Sequence, residues 1–313
     1  MRIIIFFILI AFNSSSVAWA QHRRGSSSHG STFKGKKQAY KYEFIGCLGA
    51  TNFLGDLGGA NQIGTNGLRD LELQLTRPAM GLGFRFKIQE FISIKSNLYF
   101  GILTGDDRLT SEPFRRNRNL SFKSPLLELS SQVEANLMKE RKGHVYKIRG
   151  LRGSKHKEFQ LFVFAGFGGL YFNPRGLYNG QWYELQPLGT EGQGIIPGTK
   201  KYSRITGALF TGGGVRIPLN RYWGIGMEWG IRKTFSDYID DVSTVYHTQL
   251  IKANGGSTQA IYFADPSQGK GAHPESVADG LQRGGPSYKD AYIFGMFTIG
   301  YKVMYKKRSR AKF

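Results

Sequence analysis

The chain has 313 residues, with 43 Lys/Arg against 22 Asp/Glu for a formal net charge of +21, and one cysteine. A single cysteine excludes an internal disulfide framework. A content of 42 Gly, 23 Phe and 16 Tyr suits a sheet whose two faces meet different solvents better than it suits a bundle of membrane helices.

In chain order, Met1-Arg2 supplies a positive start and residues 3–12 (IIIFFILIAF) form an apolar run. Ala18-Trp19-Ala20 then puts small residues at the last and third-last positions before Gln21, the pattern that a signal peptidase cuts. Residues 1–20 therefore read as a signal peptide, and the run falls short of the about 20 residues that a helical span needs. Cys47 lies too far from the cut for a lipoprotein anchor. A strongly basic chain can bind nucleic acid, but export from the cytoplasm removes that reading. Residues 21–38 (QHRRGSSSHGSTFKGKKQ) are a basic leader of a composition that stays flexible unless a partner orders it.

From residue 39 to 305 a period of two dominates, the mark of strands. Met80, Leu82, Phe84, Phe86 and Ile88 alternate with Gly81, Gly83, Arg85 and Lys87. Ile92, Ile94, Leu98, Phe100 and Ile102 alternate with Ser93, Lys95, Asn97, Tyr99 and Gly101. Leu127, Leu129, Val133, Ala135 and Leu137 oppose Glu128, Ser130, Gln132, Glu134 and Asn136, and Trp223, Ile225, Met227, Trp229 and Ile231 oppose Gly224, Gly226, Glu228 and Gly230. Less regular runs lie at 40–48, 159–172, 203–217 and 291–305. The total is eight strands of membrane-crossing length, an even number that returns the chain to its starting side. The expected fold is an all-β, eight-stranded antiparallel transmembrane barrel. A soluble sandwich would also alternate, but it hides its apolar face and seldom carries so much glycine.

Odd-numbered gaps are long (49–77, 105–120, 173–202 and 237–289) and two of the three even ones are tight, at Gln89-Glu90 and 218–222. Long outer loops and short periplasmic turns are the normal asymmetry of such barrels. The expected location is the outer membrane, with both termini in the periplasm. The exception is the gap 139–157 (KERKGHVYKIRGLRGSKHK). With 21–38 and the tail 306–313 (KKRSRAKF), it holds eighteen Lys/Arg against one Glu. All three segments fall on the periplasmic side, making a basic crown of Lys139, Arg141, Lys142, Lys147, Arg149, Arg152, Lys155, Lys157, Lys306, Lys307 and Arg308. Such a face suits anionic headgroups or an acidic periplasmic partner.

Eight strands leave room inside only for side chains. Glu43, Glu128, Glu134 and Glu228 share the inward faces with Arg85, Lys95, Arg216 and Arg232, an expected network of mutual pairing rather than an open pore. Chemistry-bearing motifs are sparse. The six histidines (His22, His29, His144, His156, His247 and His273) fall in tails, loops or turns, away from any strand Ser and carboxylate that could form a hydrolytic triad. Asp237, Asp240 and Asp241 in FSDYIDD suit turn capping better than a cation site. Gly212-Gly213-Gly214 lacks the Lys-Ser/Thr of a phosphate loop and suits relief of crowding in a strand. No enzyme activity, cofactor, metal or small-molecule substrate is expected.

The stretches GATNFLGDLGG (49–59), FRRNRNLSFKSPLLELSSQVEANL (114–137), LQPLGTEGQG (185–194) and GMEWGIRKTFSDYIDDVSTVY (226–246) resemble the PorG family. These are outer-membrane barrel components of the type IX secretion system of Bacteroidetes. The resemblance, over about residues 40–305, implies a non-enzymatic subunit needed for export of cargo with a C-terminal signal, and for gliding motility in gliding species. It also implies a periplasmic partner, the PorK–PorN ring, contacted chiefly through the lipoprotein PorK. A stand-alone narrow channel or adhesion barrel is the alternative.

Overall fold

A computed structural model describes residues 40–55, 57, 73–110, 112–137, 159–270, 273–285 and 289–304. The signal peptide 1–20, the leader 21–38, the segment 139–157 and the tail 306–313 lie outside these residues, and so does every residue named for the basic crown.

Eight long antiparallel strands form the wall: β1 (Tyr40–Leu54), β2 (Arg77–Lys87), β3 (Ile92–Asp106), β4 (Ser121–Asn136), β5 (Gln160–Phe172), then β8 (Ile205–Pro218), β9 (Trp223–Thr234) and β10 (Ala291–Met304). β1 pairs with β10 as well as with β2, and β3 pairs with both β2 and β4, so the sheet closes on itself. The remaining two strands, β6 (Arg175–Tyr178) and β7 (Gln181–Glu184), form a small hairpin that joins the wall through the Lys123–Arg175 pair.

Closure satisfies both edges of the eight wall strands, which is the condition for a sheet to stand in hydrocarbon. The outward positions meet the same condition in their side chains. Leu48, Leu82, Leu129, Phe167 and Phe297 are each about two-thirds exposed, and Met80, Val133, Leu209, Met227 and Trp229 about half. A band of large apolar side chains right around a barrel has no place in water and is the lipid-facing belt of a membrane barrel. At the end with short turns it is edged by aromatics: Tyr222 stacks on Tyr301 with ring centroids 6.4 Å apart, and Trp223 lies 5.0 Å from Tyr301.

The strand reading holds with one systematic difference. β1 runs six residues past the expected 48, β3 continues to Asp106, and β4 begins at Ser121 rather than 127. Alternation fades there because the outer belt ends while the pairing continues. Thr51, Asn52, Phe53 and Leu54 are all buried in succession, so both faces are covered and the period disappears. The gap at 173–202 also contains the β6–β7 hairpin, whose Asn179-Gly180 turn has φ of +49° and +79° at its two central residues. That is the two-residue turn favoured by right-twisted strands, and Asn-Gly is its usual sequence. The gap 237–289 carries two short helices, Thr248–Ala253 and Thr258–Ala264.

Leu129 sits near the middle of β4 and is 66% exposed. Replacing it by arginine should lower the stability of the barrel in lipid vesicles by about 2–4 kcal/mol, the cost of a cation at the bilayer midplane. The same replacement at Phe91, beyond the belt, should cost under about 1 kcal/mol. Reversible denaturant titration in vesicles measures both.

Candidate functional site

All eight charged residues expected inside the barrel face its lumen. Their spacing follows from register: Glu43 lies opposite Arg85, Arg85 opposite Lys95, and Lys95 opposite Gln132 across successive strand pairs. At the turn end, Arg85 donates to Glu43 (2.5 Å) and to Glu134 (2.7 and 3.3 Å). Arg216 donates to the same Glu134 at 2.7 Å and to Asn136 at 3.3 Å. Glu134 therefore joins guanidinium groups from two different strands, with Gln132 donating to it at 3.1 Å.

One layer further in, Lys95 and the Tyr99 hydroxyl both donate to Glu228, at 2.6 and 2.7 Å. Above that, Glu128 accepts from the Tyr292 hydroxyl at 2.6 Å and lies 3.4 Å from Arg232. Arg232 is also sandwiched among aromatic faces, 4.6 Å from the centroid of Phe294 and 5.2 Å from that of Phe210. Four carboxylates face four cations, and each is held by an opposite charge within 3.4 Å or closer. A buried charge is costly unless paired and hydrogen-bonded, so this network is what allows a barrel interior to be charged at all.

The glycine run 212–214 leaves space for the aromatic cluster beneath it. A Cβ on Gly212 would stand 2.5 Å from Phe164 and one on Gly214 2.6 Å from Phe162. Phe162, Phe164 and Phe210 pack there as a separate buried group. Towards the loop end the charges give way to a continuous apolar core of Leu103, Phe122, Leu126, Phe172 and Phe294, which extends into the loops through Leu185, Ile239, Val242 and Phe263. The lumen is filled from the ionic layer to the cap.

That cap brings together two of the motifs read from sequence, 185–194 and 226–246. The Glu191 carboxylate accepts the backbone N–H groups of Ser243 (2.8 Å) and Thr244 (3.1 Å), the Thr244 hydroxyl (2.7 Å) and Arg283 (2.9 Å). Arg283, 3% exposed, also donates to the carbonyls of Asp241 and Phe263 at 2.7 and 3.2 Å. Arg118 donates to the Arg283 carbonyl at 2.6 Å and to both oxygens of Asp107 at 2.8 and 2.9 Å. Three loops that are remote in sequence thus become one hydrogen-bonded unit. Glu191 and Arg118 fall in two of the motifs read from sequence, but nothing there pairs them with Asp107 or Arg283, since each lies in a polar loop without periodicity.

The aspartates of FSDYIDD divide. Asp240 caps a turn as expected, accepting the Val242 N–H at 3.0 Å. Asp237 and Asp241 instead reach across, Asp237 to the Ser243 hydroxyl at 2.7 Å and Asp241 to the Thr190 and Tyr202 hydroxyls at 2.5 Å each. Of the histidines, His247 and His273 are described and stand immediately before short helical turns; His22, His29, His144 and His156 lie outside the described residues.

No family model matches the chain, and no curated protein matches it in sequence. Solved structures that resemble it include Neisserial surface protein A, at 4% identity and a TM-score of 0.36 over 84% of this chain and 96% of that one. OprG from Pseudomonas aeruginosa is 10% identical with a TM-score of 0.37, over 85% and 97%. E. coli outer membrane protein W is 14% identical with a TM-score of 0.32, over 85% and 100%. The fold of the present chain rests on its own strand pairing and its own apolar belt. Those two features make it a membrane barrel of the outer-membrane type.

Removing the central carboxylate by Glu134→Gln leaves Arg85 with Glu43 and takes from Arg216 the carboxylate it is paired with. The barrel should lose about 3–5 kcal/mol, the cost of stranding buried charge, read as a lower denaturant midpoint. In the cap, burial pushes the Asp241 carboxyl up to about 6 against the opposing pull of Arg283 and its two hydroxyl donors. A carboxyl raised in the folded state favours folding while protonated, so its contribution is full below about pH 4 and is lost as pH rises to about 6. The cap should therefore gain hydrogen-exchange protection on acidification from pH 7 to 5. Asp241→Asn should confer that protection at pH 7 and flatten the dependence; asparagine also tolerates the backbone φ of +66° found there.

Proposed function

We propose that this protein is a non-enzymatic outer-membrane anchor of a type IX protein-export machine. In that reading the barrel holds a periplasmic ring of the PorK–PorN type against the membrane through a basic face at its turn end. The observation that carries the proposal is where the strands end. Tyr40 pairs with Met304 at one rim of the barrel, and Asn136 with Phe162 at the foot of β4 and β5. The leader 21–38, the tail 306–313 and the segment 139–157 are all joined to the wall at this one end. Together these three segments hold eighteen Lys/Arg and one Glu.

A lumen filled by the described side chains, ionic at one level and apolar at the next, supports the anchoring role over a diffusion pore. Charge complementarity would orient an acidic partner on such a face and raise its rate of encounter. With long loops outside and short turns inside, the usual sense of these barrels, the basic end faces the periplasm and meets the ring there.

Reversing charge at Arg141, Lys142, Arg149 and Arg152 together should leave barrel insertion intact and abolish recovery of a periplasmic lipoprotein ring with the tagged barrel after crosslinking. Export of cargo should fall with it. Undiminished export by a correctly inserted mutant would overturn the docking role.

A further inference from the structure

The outward face of the wall changes character at one level near the loop end. On β4 the outward positions run Leu129, Leu127, Pro125 and then Lys123, with Phe122 and Ser124 buried on the inward face. Six residues at about 3.4 Å each, on a strand tilted by about 40°, carry Lys123 about 15 Å above Leu129, half the thickness of a hydrocarbon core. β9 gives the same boundary independently. Its outward positions run from Trp223 through Ile225, Met227, Trp229 and Ile231 to Lys233. By the same arithmetic the two ends of that run stand about 26 Å apart, against about 25 Å for the apolar band of such barrels. Both lysines therefore stand where lipid headgroups begin.

The β6–β7 hairpin builds a site around the first of them. Lys123 lies opposite Arg175, which places both on the outward face, and the pairs Arg175–Glu184 and Leu177–Trp182 belong to the hairpin beside it. Trp182 and Leu177 are each about half exposed, so apolar surface resumes next to the cations. The Lys123 Nζ lies 5.5 Å from the centroid of the Trp182 ring and enters no ion pair among the described residues. Glu184 is shared by two guanidinium groups, Arg175 at 3.3 Å and Arg204 at 2.9 Å. Asp106, on the neighbouring strand, is held by Arg108 at 2.6 Å. Each nearby carboxylate thus has its own arginine, and the positive excess falls on Lys123. Towards β3 the site is bounded, since Thr104, opposite Lys123, is buried and donates to the Leu75 carbonyl at 3.0 Å.

We propose that Lys123, Arg175 and Trp182 bind the phosphate-bearing headgroup of an anionic lipid in the leaflet at the loop end. Continuity selects the occupant. This face extends the surface that acyl chains already cover, so the molecules lining the belt bring their headgroups to this level. An ammonium with three donors beside a guanidinium matches phosphate oxygens, and an indole at this depth is the usual interfacial anchor. The inference stands apart from the export role and uses only the membrane-spanning wall.

The test uses the full chain in phosphatidylcholine vesicles, with Trp19, Trp223 and Trp229 replaced by phenylalanine so that Trp182 is the one indole left. Phosphatidylglycerol and phosphatidylcholine, each brominated high on its acyl chains, serve in turn as quenchers. Brominated phosphatidylglycerol should quench Trp182 as strongly as brominated phosphatidylcholine at roughly five times the proportion, the enrichment that one cation at a membrane surface supplies. Lys123→Gln keeps the Arg175–Glu184–Arg204 cluster and should bring the two lipids to parity. Arg221→Gln, in the tight turn at the other end of the barrel, should leave the preference unchanged. Equal quenching with Lys123 in place, no quenching by either lipid, a preference that survives Lys123→Gln, or an equal loss in Arg221→Gln would each overturn the inference. So would disappearance of the preference on adding inorganic phosphate at constant ionic strength, which would assign the cations to a free anion.

Discussion

In hydrocarbon a strand edge finds no water to bond, so a sheet can cross a membrane only by closing on itself. The rest of this structure follows from that closure. Pairing β1 with β10 and β3 with β4 forces one side of every strand towards lipid and the other into a narrow interior. Eight strands enclose too little room for bulk water. Every inward side chain must therefore find its partner among other inward side chains. Glu134 between Arg85 and Arg216, and Glu228 between Lys95 and Tyr99, are the solutions that the closed wall imposes.

The same geometry divides the molecule along its axis. Near the short turns the interior is ionic. Higher up it turns apolar, and above the belt the apolar core runs without a break into loops that pack as a domain would. Those loops hold together through buried charge: Glu191, Arg283, Arg118 and Asp107 link segments from three gaps. Among the described residues the loop end is tied together by buried hydrogen bonds, and the lumen is filled by side chains. The function proposed for the opposite end, a basic anchor point, makes use of both properties, because a tether needs a fixed wall more than a channel.

Much of the wall was legible before any coordinates. Strand alternation follows from the contrast between lipid and lumen, and it is sharp wherever that contrast is sharp. Leu127, Leu129 and Val133 against Glu128, Glu134 and Asn136 is an example. The inward assignment of Arg85, Lys95, Glu228 and Arg232 came from the same period. Legibility fails where a strand is covered on both sides, as at Thr51–Leu54 in β1, because burial on both faces removes the period that marks a strand. It fails again in the loops, where Glu191 and Arg283 are ordinary polar residues until the chain brings them within 2.9 Å.

The residues alone decided the class of molecule: eight alternating strands with an apolar face and a charged interior. Each depends on residues near one another in the chain, read against two solvents. Only the tertiary structure decided which charge meets which. Arg85 and Glu134 are 49 residues apart and Lys95 and Glu228 are 133 apart, and they meet because shear and register in a closed barrel align their strands. The cap is the same case without a strand period to help. Its contacts exist because the barrel holds the loop ends at fixed places around a rim, and that spacing belongs to the closed wall as a whole.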